Sequence, residues 1–276
     1  MAPPPPRPPP SLCRRHRRPL APTPPAPALL AALGVCLLAL PPPARSQTVV
    51  AFGDSVTKGF VPSADANVPY TIELERLLRQ RFGGGARVTN ANSGAAALLP
   101  APKKAAMSPP VYATLASSDH KTALFMVGTN DILMGQRSSA DVIGALRPLV
   151  DAALARGSRV FLLSMPPTAI STPAQERERL SLNAAEKGLA REYRGRGRAV
   201  TAVDLEDGFF ARLGGGFRPS ARAVLEDGVH LCRTCYAELG QIVYKAVGAV
   251  EGWCGARSGK RGAAVISASE ARRFNC

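Results

Sequence analysis

Histidine is scarce in this chain: there are three in 276 residues, His16 near the N-terminus and then only His120 and His230. Acid–base chemistry near neutrality therefore has two imidazoles to draw on, and only these two side chains are expected to titrate in the working range. No ligand set for a metal is apparent beyond the cysteines. Aromatic residues make up 5% of the chain and do not interleave with its basic residues, so nothing suggests nucleic acid as a partner. Long apolar runs are missing as well. The leading candidate covers residues 28 to 40, too short for a bilayer crossing of about 20 residues, so no transmembrane segment is expected. Acidic residues are absent from residues 1 to 46, which hold 15 of the 26 prolines and six of the 35 Lys and Arg.

That first stretch reads as a leader. A basic cluster (Arg14, Arg15, Arg17, Arg18) precedes the apolar run, and Ala44 and Ser46 supply the small residues of a signal-peptidase site. Cleavage after Ser46 would leave Gln47 as the new N-terminus. The predicted layout is a removed signal peptide over 1 to 46, a catalytic domain over 47 to 250, and a basic, cysteine-containing tail over 251 to 276, outside the sheet. The predicted destination is extracellular, with an organellar lumen as the alternative, because transit peptides and signal anchors share the Arg-rich, acid-poor composition. After position 46, 29 basic residues face 20 acidic ones, a net charge of +9 that speaks of solubility and anionic surfaces rather than of fold. Removing the leader takes away Cys13 and Cys36 and leaves Cys232, Cys235, Cys254 and Cys276. An even set fits an oxidising compartment, and three connectivities are open to it. The Cys232-x-x-Cys235 spacing also admits a zinc or redox reading. Zinc sites of this kind usually carry a second close pair, and redox pairs usually open a helix after an early strand.

From Gln47 onward short apolar runs alternate with helix-period segments, which predicts a parallel sheet covered on both faces. The expected strands are residues 48 to 52, 87 to 91, 122 to 127, 159 to 165 and 199 to 205. Between them, Tyr70, Leu74, Leu77 and Phe82 form one apolar stripe, and Leu182, Ala185, Leu189 and Tyr193 another. A third helix is expected over 139 to 156, bent at Pro148, and a last one with Tyr236, Leu239, Val243, Val247 and Val250 on its buried face. Residues 98 to 110 and 207 to 226 read as long loops.

The residues able to do chemistry stand at the ends of these runs. The first strand leads into Gly53-Asp54-Ser55, and in an open α/β sheet the carboxyl end of a strand borders the ligand crevice. Thr57 occupies the position where the α/β-hydrolase elbow needs glycine, so that elbow is not present. The second strand ends in Asn90-Ala91-Asn92-Ser93-Gly94, and the third in Val127-Gly128-Thr129-Asn130-Asp131. Glycine allows a backbone N–H to approach a developing oxyanion, and an asparagine amide donates from a second direction. Taken singly, Gly94 and Asn130 are ordinary turn residues. His230 follows Asp227 by three residues, a spacing at which a carboxylate can orient an imidazole. His120 lies in the polar turn Ser117-Ser118-Asp119-His120-Lys121 and reads as a solvated loop residue.

In order, Gly53-Asp54-Ser55, Gly94, Gly128-Thr129-Asn130-Asp131 and Asp227-Gly228-Val229-His230 resemble the four sequence blocks of the GDSL, or SGNH, hydrolases. The resemblance spans residues 48 to about 250. It implies a flavodoxin-like three-layer α/β/α fold with a five-stranded parallel sheet. It also implies a cofactor-free esterase or lipase with Ser55 as nucleophile, His230 as base and Asp227 as its orienting acid. The oxyanion donors it implies are Ser55, Gly94 and Asn130. The expected substrate is a small-molecule, lipid or acetylated-carbohydrate ester, and the expected state a monomer. An acyltransferase using the same acyl-enzyme and a non-catalytic carbohydrate-binding module on the same scaffold are the competing readings.

Overall fold

Short strands rich in Val, Phe and Leu are suited to a sheet buried on both faces. The computed structural model, which describes residues 47 to 92, 97 to 99, 106, 108 to 117, 119 to 211, 227 to 254 and 262 to 276, contains such a sheet. Its chain order is β1 (Thr48–Gly53), α1 (Ser55–Lys58), β2 (Phe60–Val61), β3 (Ala66–Asn67), α2 (Tyr70–Phe82), β4 (Arg87–Asn92), α3 (Ser108–Ser117), β5 (Thr122–Met126) and α4 (Thr129–Leu133). Then come α5 (Ser139–Ala155), β6 (Arg159–Leu163), α6 (Pro173–Gly195), β7 (Val200–Asp204), α7 (Arg233–Glu251), β8 (Val265–Ser267) and α8 (Ala268–Arg272). The strands line up as β4-β1-β5-β6-β7-β8, every pair parallel. The described residues fall within one compact unit, Ala44–Cys276.

Successive strand side chains point to opposite faces, and the two halves of the core divide accordingly. Val49 and Ala51 of β1, with Leu124 and Met126 of β5, pack against α2, α7 and α8. Val50 and Phe52, with Ala123 and Phe125, pack against α3, α5 and α6. The result is the three-layer α/β/α sandwich. Strand order reverses at β1, which lies between β4 and β5, so the crevice beyond its carboxyl end is the place where such sheets take ligands.

The expected helices form where their stripes indicate. Tyr236, Leu239, Val243, Val247 and Val250 of α7 are all buried, and in α2 Leu78 rather than Leu77 joins Tyr70 and Leu74 in the core. Capping boxes start α5 (Ser138 with Asp141) and α6 (Thr172 with Gln175), and α5 runs on through Pro148. Two expectations are corrected. The sheet has six strands, not five, and the segment after residue 250 is not a tail outside it. Val265, Ile266 and Ser267 pair with Ala202, Val203 and Asp204 of β7, and Ile266 is buried. Three residues are too few to give a readable period, and the pairing depends on an edge strand supplied from sixty residues earlier.

Of the two expected loops, residues 100 to 105, 107 and 212 to 226 lie outside the described residues. Around them Leu98 is buried, α3 begins at Ser108, and Glu206–Phe210 form a π-helical turn that buries Phe209 and Phe210. The leader, residues 1 to 46, is likewise outside the described residues. No helix among those described is long and apolar enough to cross a membrane.

Candidate active site

Strand β1 ends at Gly53, where any side chain would collide: a Cβ there would lie 2.0 Å from the Thr57 hydroxyl and 2.5 Å from the carbonyl oxygen of Met126. That close approach lets the chain turn directly from strand into the single-turn helix α1, which begins with Ser55. Asp54 caps the turn, its Oδ1 accepting from the Val56 N–H at 2.9 Å. The amide of Asn90, in neighbouring β4, donates to the Thr57 carbonyl at 2.9 Å and to the Thr71 hydroxyl at 3.1 Å, which braces α1 from the side.

The loop before α7 brings the other half of the site. Asp227 Oδ1 accepts from the backbone N–H groups of Val229 and His230 at 2.9 and 2.8 Å, curling the segment so that its Oδ2 meets His230 Nδ1 at 2.7 Å. Partial burial raises the Asp227 carboxyl, but the His230 backbone N–H, the His230 ring and the Val229 N–H outweigh it and hold the group below the usual carboxylate range. The far side of the imidazole, Nε2, lies 2.8 Å from Ser55 Oγ. Ser55, His230 and Asp227 are thus one hydrogen-bonded chain across residues 175 positions apart. The Ala169 N–H donates to the Gly228 carbonyl at 2.6 Å and secures the loop against the segment after β6.

Asn130 stands four residues past Met126, the β5 residue in register with Gly53, so it shares the carboxyl edge of the sheet with Ser55. It is buried, on α4. Its neighbour Asp131, to which the sequence assigned no task, is buried too and accepts from the backbone N–H groups of Leu98 and Leu99 at 3.0 and 2.9 Å. Burial raises the Asp131 carboxyl, against the pull of those two bonds. Asp131 thereby ties the segment that follows Gly94 to the helix that carries Asn130. Gly94 itself lies outside the described residues.

His120 is not part of this cluster. It precedes β5, at the opposite end of the sheet from Ser55, and its carbonyl accepts from the Ser158 hydroxyl at 2.5 Å. Burial pushes its imidazole below the ordinary value. The expectation that only histidines titrate in the working range is corrected by Asp54, whose carboxyl is pushed up to about 6 by complete burial, only partly offset by the Val56 N–H. An acid beside a serine in a strand-end motif was the available signal, but burial is not written in the motif.

The two cysteines that follow His230 are bonded to each other, Cys232 to Cys235, and Cys254 is bonded to Cys276. Cys232 is the N-cap of α7, its Sγ accepting from the Cys235 N–H at 3.2 Å. Among the described residues no group of three or more His, Cys, Asp or Glu is placed to hold a metal ion.

The family profile described as "GDSL-like Lipase/Acylhydrolase family" matches residues 51–237, a stretch that contains Ser55, Asn130, Asp227 and His230. Solved structures share the fold at low identity. Est24, a carbohydrate acetylesterase from Sinorhizobium meliloti, aligns with a TM-score of 0.53 at 21% identity over 74% of this chain and 99% of its own. An inhibitor-bound aryl esterase from M. smegmatis aligns with a TM-score of 0.55 at 18% identity over 73% of this chain and 98% of its own. A second carbohydrate acetylesterase family member from S. meliloti gives 0.54 at 17% over 75% and 99%. No curated protein sequence matches the chain.

Proposed function

Because the chain belongs to the GDSL-like lipase/acylhydrolase family and is a carboxylic ester hydrolase, we propose that it works through an acyl-serine intermediate on Ser55. The observation that carries this reading is the continuous chain Asp227 Oδ2, His230, Ser55 Oγ, with links of 2.7 and 2.8 Å. Ser55 Oγ attacks the ester carbonyl carbon while His230 Nε2 takes its proton. Asp227 accepts from Nδ1–H, which fixes the tautomer with Nε2 as acceptor and stabilises the imidazolium that forms. The developing oxyanion is met by the backbone N–H of Ser55, the backbone N–H of Gly94 and the side-chain amide of Asn130. Collapse expels the alcohol, which receives the proton from Nε2. Water then repeats the sequence on the acyl-serine and releases the acid. Loss of the Asn130 donor by Asn130→Ala should lower kcat roughly a hundredfold or more.

The protein is further proposed to be secreted, with residues 1 to 46 as a cleaved leader, a destination supported by the pairing of the remaining cysteines into two disulfides. The deciding experiment uses a fluorophosphonate probe on the purified enzyme. Ser55 should be the labelled residue by peptide mass, and Ser55→Ala should lose both label and turnover of a p-nitrophenyl ester. Retained turnover in that variant would reject the acyl-serine route. The same assay, run on p-nitrophenyl esters of increasing chain length beside acetylated polysaccharides, reads the acyl and alcohol preference.

A further inference from the structure

Among the described residues, three contacts hold the His230 imidazole. Two are the hydrogen bonds to Asp227 and Ser55, and the third is the ring of Phe60, whose centroid lies 5.0 Å away at an interplanar angle of 83°. The first two are unequal over a catalytic cycle. Once Ser55 is acylated, its Oγ is an ester oxygen with no proton to share, and Nε2 must face water instead. Of the two hydrogen bonds only the one at Nδ1 then persists, to a carboxylate whose side chain is 37% exposed and open to competition from water. A ring fixed at one nitrogen can still swing about that bond. The contact with Phe60 is apolar and edge-to-face, so neither acylation of Ser55 nor protonation of His230 removes it.

The backbone fixes Phe60 from several directions. It follows Gly59, which ends α1 in the left-handed region at φ 74°, with its N–H donating to the carbonyls of Ser55 and Val56 at 3.0 Å. A Cβ at Gly59 would come within 2.2 Å of Pro69 Cα, so this tight exit from the nucleophile's helix requires glycine. The Val68 N–H donates to the Gly59 carbonyl at 2.7 Å, and Phe60 pairs with Asn67 in the small β2–β3 hairpin. The Phe60 carbonyl also accepts from the hydroxyl of Tyr236 at 3.3 Å, and Tyr236 is buried in α7, the helix that begins three residues after His230. The backbone that carries the ring is therefore anchored both to the turn of Ser55 and to the helix that follows His230.

We propose that Phe60 is a positioning residue for deacylation, holding the His230 imidazole in line for water while Ser55 carries the acyl group. The proposal rests on the acyl-serine reading. In the step it supports, a water proton passes to His230 Nε2 as the water oxygen bonds to the acyl carbon. The tetrahedral adduct then breaks its bond to Ser55 Oγ, which takes the proton back from Nε2.

The test measures acylation and deacylation separately, by stopped-flow release of p-nitrophenol from a p-nitrophenyl ester and by the decay of acyl-Ser55 followed by intact mass. Phe60→Leu should slow deacylation roughly fivefold, the worth of an aromatic pair, and change acylation, where Ser55 still helps to hold the ring, by less than half that factor. Phe60→Tyr should restore the deacylation rate. Phe60→Met, flexible but of similar bulk, serves if the leucine variant melts below the assay temperature, and should behave as leucine does. Equal slowing of both steps, unchanged deacylation, or failure of tyrosine to restore it would overturn the proposal. Turnover retained in Ser55→Ala, or a fluorophosphonate probe that does not label Ser55, would instead remove the acyl-serine reading, a separate outcome visible before any Phe60 variant is made.

Discussion

At the scale of single residues, the two groups beside Ser55 have different tasks. His230 is proposed to accept the Ser55 proton, so His230→Ala should abolish nearly all the rate, whereas His120→Ala, at the far end of the sheet, should leave it unchanged. Turnover of a p-nitrophenyl ester by the two variants decides between them. Asp54 acts on stability instead. Its folded value, about 6, exceeds its ordinary 3.8 because the charged form is buried. The folded state therefore holds its proton longer than the unfolded chain, and the stability it contributes is complete below pH 3.8 and lost as pH rises through about 6. Asp54→Asn keeps a capping oxygen for the Val56 N–H and cannot ionise. Its melting temperature, relative to the unaltered protein, should gain between pH 4.5 and 7; an equal difference at both would show that Asp54 does not titrate there.

At the scale of elements, the loops at the carboxyl edge are cross-braced by side chains acting on backbone. Gln175, in the first turn of α6, donates to the carbonyls of Ile132 and Leu133 at 3.3 and 3.1 Å, fastening the end of the helix that carries Asn130. Arg179, one turn later, is 1% exposed despite its charge. It pairs with Glu176 and Glu206 and donates to the Met165 carbonyl at 3.1 Å, while Asn183 takes the Met165 N–H at 2.8 Å. The segment after β6 is thereby clamped before it reaches Ala169 and its bond to the loop of His230. Arg179→Met keeps much of the packing volume but leaves buried acceptors and two carboxylates without their partner. It should cost about 3 kcal/mol in urea unfolding. A loss under about 1 kcal/mol would mean that packing, not the ionic clamp, holds this segment.

For the whole molecule, the C-terminal segment adds a sixth strand at the β7 edge and is closed by a disulfide whose cysteines are 22 residues apart. Gly248 of α7 leaves the space that Cys254 fills, and α8 packs Ala268 and Ala271 into the core. The bond lies away from the Ser55 crevice. Converting both Cys254 and Cys276 to serine should lower unfolding stability by about 3 kcal/mol and leave turnover at room temperature intact. Parallel loss of turnover would place the C-terminal segment in the working site. N-terminal sequencing of secreted material should find Gln47 or a residue within a few positions of it at the start; an intact Met1 would dismiss the leader.

The sequence by itself determined the layered class and named the residues proposed to carry the chemistry, because both are written in short-range physics. Unbroken apolar runs such as Val49-Val50-Ala51-Phe52 declare themselves by length and composition, and the five-residue stripe of α7 by its period of 3.6. Gly53-Asp54-Ser55 and Asp227-Gly228-Val229-His230 are local turns whose side chains name their own reactivity. What only the tertiary structure decided involves groups distant in sequence. The 2.8 Å contact of Ser55 with His230 spans 175 positions, and the pairing of Val265 with Ala202 needs an edge strand in place. The bond between Cys254 and Cys276 depends on the packing of α7 against its own C-terminal extension, which leaves Cys232 and Cys235 to each other. The elevated carboxyl of Asp54 and the ring of Phe60 against His230 belong to the same class. Burial and orientation are set by what the rest of the chain packs around a residue, and no neighbouring letters encode that.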